Sequence, residues 1–147
     1  MHAENLAEEF PVITVDTDAL EAARILAEHR LPGILVTDAK ARPYAVLPAS
    51  QVVRFIVPGY VQDDPSLAGV INESWADKAA EKLGGKKVRD VLPEHLTDVP
   101  AAKADDTIIE VAALMARHHS PLIAVVKDDR LLGVITASRL LDAALRT

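Results

Sequence analysis

The chain contains no cysteine, few aromatic residues, no long apolar run and no surplus of positive charge, and each absence removes a class of protein. Without cysteine there is no disulfide framework, no thiolate metal site and no cysteine nucleophile, as expected of a protein of the reducing cytoplasm. No stretch approaches the ~20 consecutive apolar residues that cross a bilayer, so no membrane insertion is expected. Residues Met1 to Phe10 carry four ionisable side chains and no apolar run, which makes them neither a signal peptide nor an anchor. A net charge of −6 and a pI near 5.3 lack the clustered Lys and Arg that phosphates demand, so no nucleic-acid partner is expected.

Half of the 147 residues are hydrophobic while only 3% are aromatic. The core must therefore be Ala, Val, Leu and Ile, a composition suited to helices packed on β-branched strands. The length fits one compact domain, or two subdomains of about 60 residues that share a core, because so small a unit buries too little surface alone.

Aligned with itself, the chain repeats. Asp16 to Val36 matches Asp105 to Val125 at an offset of 89, with 8 of 21 positions identical, where chance would give roughly two. The match resumes at offset 88 with Val46/Val134, Ala49/Ala137 and Ser50/Ser138. In the first copy, Val12 to Val15 reads as a strand, and Asp16 and Asp18 supply cap oxygens to a helix with a stripe at Leu20, Ala23 and Ala27, with Ile25 and Leu26 beside it. The helix stops before Leu31-Pro32. A strand at Ile34 to Thr37, a polar turn from Asp38 to Pro43, a strand at Tyr44 to Leu47 and a helix from Ala49 to Ile56 complete it. The second copy reads the same way: a strand near Leu96 to Val99, then a helix capped by Asp105 or Asp106 with Ile109, Ala112, Ala113 and Ala116 on one face. A hairpin around Lys127 to Arg130 and a helix from Ala137 to Leu145 follow. The expected organisation is an α+β chain of two β-α-β-β-α units, residues 1–57 and 87–147. Between them, residues 58–86 form a helical insertion, with a helix from about Pro65 to Leu83 that starts after Asp63-Asp64 and ends at Gly84-Gly85.

A β-α-β-β-α unit used twice, whose second hairpin closes as Gly133-Val-Ile-Thr-Ala-Ser-Arg-Leu140 directly into a helix, resembles the CBS-domain family. Val88-Arg-Asp-Val-Leu92 resembles that family's lead-in segment. The resemblance implies two repeats packed as a pseudo-twofold pair, called a Bateman module, and a homodimer of such modules. It also implies a cleft for an adenosine-containing ligand such as AMP, ADP, ATP or S-adenosylmethionine. The family's signature is glycine, two aliphatics and a hydroxyl residue, with Asp three positions later. The hydroxyl and the helix N-terminus hold phosphate, and the Asp holds ribose. Carried over, it gives Gly133, Thr136 and Arg139 as ligand-binding residues of the second copy, with Arg139 where the family has Asp; Ser138 joins them because it sits at the same junction, where a strand feeds a helix. The first copy has a degenerate site of Pro48, Ser50 and Gln51.

The residues leave alternatives open. Thr136 either caps its helix or joins the free N–H groups there in holding an anion, to which Arg139 would add a bidentate contact or else face solvent. His118-His119, with His29 equivalent in the first copy, suits a helix C-terminus better than a metal, because neighbouring side chains on a helix point about 100° apart. Asp63-Asp64 and Asp128-Asp129 fall where a cap and a turn belong. Phe55, Tyr60 and Trp75 cluster near the insertion, filling a seam or marking an interface. No motif of an activated nucleophile, phosphate-cradling glycine loop or metalloprotease is present. The expected function is a non-enzymatic sensor acting on a separate protein, a transporter or an enzyme. A ligand-free interaction module and an enzyme with an unrecognised site are the rival readings.

Overall fold

The computed structural model describes residues 1–57, 59–70, 75–93 and 99–146. A four-residue helix α1 (Ala3–Leu6) precedes β1 (Val12–Thr14), α2 (Ala19–Glu28), β2 (Gly33–Thr37), β3 (Pro43–Pro48) and α3 (Ala49–Ile56). Then come α4 (Gly59–Asp63), a 3-10 helix (Pro65–Val70), α5 (Trp75–Leu83) and the short α6 (Val88–Val91). The second repeat comprises β4 (Ala101–Lys103), α7 (Ile108–His118), β5 (Leu122–Lys127), β6 (Arg130–Thr136) and α8 (Ala137–Leu145). The fold is mixed α and β, with two three-stranded sheets in the orders β1-β2-β3 and β4-β5-β6. β4 runs parallel to β5, and β5 runs antiparallel to β6.

The duplication reaches into backbone detail. After each repeat's first helix one non-glycine residue turns left-handed, Arg30 (φ 52°) and His119 (φ 50°), again 89 positions apart. The β5–β6 hairpin turns on Asp128 and Asp129, both at positive φ. That is the two-residue turn whose twist suits a hairpin and which Asp tolerates. In the other hairpin the Asp38 carboxylate accepts the Lys40 and Arg42 N–H groups at 2.9 and 3.0 Å. The Arg42 N–H, followed by that of Lys40 and by the Arg42 guanidinium, holds the Asp38 carboxyl below its usual range.

Several local expectations shift. The buried face of α2 is Ala19, Ala22 and Leu26; Leu26 lies beside the expected stripe, whereas Leu20, Ala23 and Ala27 are not on that face. That of α7 is Val111 and Met115, while Ile109 is 74% exposed. The apolar arc of each helix is wide enough to hold more than one stripe, so periodicity leaves the phase open and the docking of the helix start decides it. The cap of α7 is Thr107, not Asp105 or Asp106; its hydroxyl accepts the Glu110 N–H at 3.3 Å and the Glu110 carboxylate accepts the Thr107 N–H at 3.2 Å. Asp106 instead closes the preceding turn by accepting the Lys103 N–H at 2.9 Å. The expected strand at Leu96 to Val99 lies largely outside the described residues, and the strand that pairs with β5 is β4. Instead of one insertion helix there are the 3-10 helix and α5. Asp64 starts the former by accepting the Ser66 hydroxyl at 2.7 Å. Phe55 carries the Lys82 ammonium 5.7 Å from its ring centroid; the side chains of Tyr60 and Trp75 lie outside the described residues.

The capping box makes a testable contribution. The Thr107 N–H and hydroxyl hold the Glu110 carboxyl below its usual range. Its folded pKa therefore lies under the unfolded one, about 4.3. Stability from this source is present above that value and is lost as the pH falls through the folded pKa. Glu110→Gln keeps the box geometry but cannot ionise. In thermal melts the parent should exceed Glu110→Gln at neutral pH, and the gap should close on acidification; a constant gap would refute the assignment.

The chain divides into two compact units, Met1–Ile13 with Leu35–Val46 and Thr97–Thr147, and Thr14–Ile34 with Leu47–Leu96. In the first, Ala3 and Leu6 of α1 share a core with Ala102, Val111, Met115, Ile123, Val125, Ile135 and Leu140. The alternate residues of β5, Leu122 and Ala124, pack with Leu35 and Val134 on the other side. β5 is thus apolar on both faces, as a covered central strand must be. The Ala3 and Glu4 N–H groups donate to the carbonyls of Asp106 and Ala104 at 2.8 and 3.0 Å. Farther on, Glu8 exchanges two backbone hydrogen bonds of 3.0 Å with Val134. In the second unit α6 docks in the same way: Val88 and Arg89 donate to Thr17 and Val15 at 2.9 and 3.1 Å. The Asp18 carboxylate lies 2.7 Å from the Lys87 ammonium and, through that hydrogen bond and its charge, raises its pKa. Arg89 pairs with Asp16. The lead-ins are therefore exchanged. The helix before the first repeat docks on the strand–helix turn of the second, and the helix before the second docks on that of the first.

Candidate functional site

At the β6–α8 junction Thr136 is the N-cap, and its hydroxyl accepts the Arg139 N–H at 3.2 Å. The Ser138 hydroxyl lies 3.2 Å from that of Thr136. The Ala137 N–H is engaged by the Pro121 carbonyl at 3.0 Å. Thr136 therefore performs its capping role while presenting, with Ser138, a pair of hydroxyls at a helix start.

Gly133 and Arg139 are occupied by the chain itself. A Cβ on Gly133 would stand 2.6 Å from the Glu8 carbonyl oxygen and 3.3 Å from the Ala7 Cβ. The missing side chain makes room for the N-terminal segment. The Arg139 guanidinium reaches the Leu6 carbonyl and the Glu8 carboxylate, each at 3.5 Å, and stands 4.0 Å from Asp142. It is neither free in solvent nor aimed at an empty pocket.

In the first repeat Pro48 precedes α3 without a side-chain cap, and the Ala49 N–H donates to the Pro32 carbonyl at 3.0 Å, the counterpart of Ala137 to Pro121. Ser50 is exposed. Gln51, the counterpart of Arg139, donates from its amide to the Val91 carbonyl at 3.0 Å. Leu6 and Val91 are the last residues of α1 and α6, so in both repeats this position donates to the end of the docked lead-in helix. An Asp there could not donate. Sequence comparison registers the loss of the acid at both positions; the partner is invisible because it is a backbone carbonyl far away in the chain.

A cavity of about 500 Å³ opens at the far end of the β5–β6 hairpin, among Glu4, Lys103, Asp105, Lys127, Asp128 and Asp129. The strand register puts it at the opposite end from Thr136, since Lys127 faces Arg130 whereas Leu122 faces Thr136. Four acids against two lysines make it a poor anion site. Among the described residues no group of three or more His, Asp or Glu is arranged to hold a metal, and no helix is long and apolar enough to cross a membrane.

The CBS domain family model matches residues 4–58 and 88–146. A CBS domain-containing protein of unknown function from Kribbella flavida is 58% identical, with 99% of each chain covered and a TM-score of 0.90. The CBS domain of a CBS domain-containing membrane protein from Sphaerobacter thermophilus shares the fold at 21% identity, covering 97% of this chain and 86% of that one, TM-score 0.70. CBSX2, solved in complex with AMP, does so at 16% identity, covering 99% and 96%, TM-score 0.68. Among curated proteins no sequence matches. With both repeats matched and a close structural relative along the full length, the chain belongs to the CBS-domain family as a tandem CBS pair.

Proposed function

We propose that the protein is a non-catalytic, cytoplasmic regulatory module that works as a homodimer, senses an adenosine-containing or other anionic small molecule, and modulates a separate protein, an enzyme or a transporter. Residues 1–57 and 87–147 act as its two repeats and 58–86 as the insertion. The observation that carries this reading is the Thr136–Ser138 hydroxyl pair at the start of the nine-residue α8, where the helix dipole favours an anion. The AMP complex of CBSX2 supplies the ligand class, with ADP, ATP and S-adenosylmethionine as its neighbours.

A ligand changes the state of a protein only by binding one arrangement better than another. Arg139 provides that difference. An anion beside Thr136 competes with Glu8 for the guanidinium, so occupancy loosens the N-terminal segment. Pro48 and Gln51 leave the first repeat a structural role. A second reading, a ligand-free interaction module, is favoured by the engagement of Arg139 with Leu6 and Glu8.

Thermal shift distinguishes the two. At 100 times its dissociation constant a ligand adds about 2.7 kcal/mol, or roughly 8 °C for a chain of this size. Thr136→Ala should lower the melting temperature of the free protein by about 3 °C through loss of the cap and should abolish the shift given by AMP or ATP. Equal shifts in parent and variant would overturn the site, and no shift with any adenosine compound would favour the interaction reading.

A further inference from the structure

The two lead-in helices dock alike but carry opposite charge. Arg89 and Glu4 are each the second residue of their helix. The Arg89 N–H donates to the Val15 carbonyl at 3.1 Å and the Glu4 N–H to the Ala104 carbonyl at 3.0 Å. One residue beyond these carbonyls stand Asp16 and Asp105, which match in the duplication. In the first repeat the Arg89 guanidinium is bonded to the Asp16 carboxylate. In the second the same two places hold Glu4 and Asp105, two acids. Both line the cavity of about 500 Å³ with Asp128, Asp129, Lys103 and Lys127. None of these six side chains is ion-paired, and four acids against two lysines leave two negative charges uncompensated. Where one copy of the duplicated turn carries its own cation, the other carries an open cavity.

We propose that this cavity binds a small guanidinium-bearing amino acid. Its guanidinium lies on Glu4 and Asp105, where the first repeat places Arg89, and its α-carboxylate on Lys103 and Lys127. Three observations select this class. The equivalent Asp16 already holds a guanidinium, a planar donor that fits a carboxylate and is less strongly hydrated than an ammonium. Among the described residues no three acids are arranged to hold a metal, whereas the volume lies within the roughly 300–1,000 Å³ of small-molecule sites. The two unpaired lysines favour a free amino acid over the arginine side chain of a protein, which brings no carboxylate. Glu4 belongs to α1, so occupancy fastens the N-terminal segment to the turn that receives it. That effect is opposite to the loosening by an anion at Thr136, and the two sites stand at opposite ends of the β5–β6 hairpin.

Calorimetric titration of the intact protein with L-arginine, agmatine and citrulline tests this, with helix content and melting temperature recorded to show that each variant folds. Arginine should bind at millimolar concentration or below. Agmatine, which lacks the carboxylate, should bind about tenfold more weakly, and citrulline, the uncharged isostere, should not bind. Asp105→Asn should weaken arginine by about tenfold. Glu4→Arg should rebuild on α1 the pair that Arg89 makes with Asp16, so it should melt higher than the parent and lose arginine binding. Added arginine should slow hydrogen exchange at the Ala3 and Glu4 amides, and Thr136→Ala should bind it as the parent does. No binding by the parent, equal binding of citrulline, or undiminished binding by a folded Glu4→Arg would overturn the site. Agmatine as tight as arginine would overturn the part given to Lys103 and Lys127.

Discussion

Leu6→Ala should destabilise the protein by about 2–5 kcal/mol, the range for an aliphatic side chain removed from a packed core. The expectation is unusual because Leu6 lies in a helix of four residues, too short to be stable by itself. Here Leu6 is 1% exposed and packs among residues of α7, α8 and the central strand of its sheet. Its loss leaves a cavity in the core that Leu6 shares with Ala102, Ile135 and Leu140, and a structure built from a sheet with helices on it has little freedom to collapse onto the gap. Urea unfolding monitored by circular dichroism would give the value. A loss below about 0.5 kcal/mol, the usual scale for surface changes, would mean that α1 is not part of the core.

Gly133→Ala should cost about 1–3 kcal/mol, as overpacking does, although the generic expectation has the opposite sign. Alanine in place of glycine within a strand ordinarily gains a few tenths to 1 kcal/mol by restricting the unfolded chain, and Gly133 has no positive φ to forbid it. The steric term decides the sign. The new methyl would meet the Glu8 carbonyl oxygen at 2.6 Å, and a backbone atom held by two hydrogen bonds to Val134 cannot swing aside as a flexible side-chain tip can. Residues 7 and 8 must leave the edge of β6, and Arg139 then loses Glu8. Hydrogen exchange separates this from a general loss of stability: the Glu8 and Val134 amides should exchange faster than those of Ile123 and Val125. Uniform acceleration, or a stabilised variant, would contradict the geometry.

The architecture was legible because duplication writes it twice. Both hairpins, both proline-terminated helices and the exits at Ala49 and Ala137 stand where the alternation and turn residues put them. Features without local sequence signal were not legible. The rotation of α2 and α7 escaped because the apolar arc of each helix is wide enough to hold more than one stripe. The exchange of α1 and α6 escaped because a four-residue helix such as Ala-Glu-Asn-Leu carries no period long enough to read, and its docking bonds are backbone to backbone. The candidate site was half legible. Thr136 falls on a motif position and Ser138 on the helix start beside it, whereas the occupation of Gly133 and Arg139 by Leu6, Ala7 and Glu8 depends on residues more than 120 positions away.

The exchanged lead-ins also constrain how the molecule can come into being. Leu6 is synthesised well before Leu140, yet the two share one core, so α1 must wait for its partners while the residues between are made. During synthesis the first repeat stands without α6 and the N-terminal segment stands without its strand edge, leaving apolar surface that chaperones and aggregation would both find. Closure over such a span places the rate-limiting search late. Truncation near Arg130, which spares the whole first repeat, should leave a chain that cannot settle.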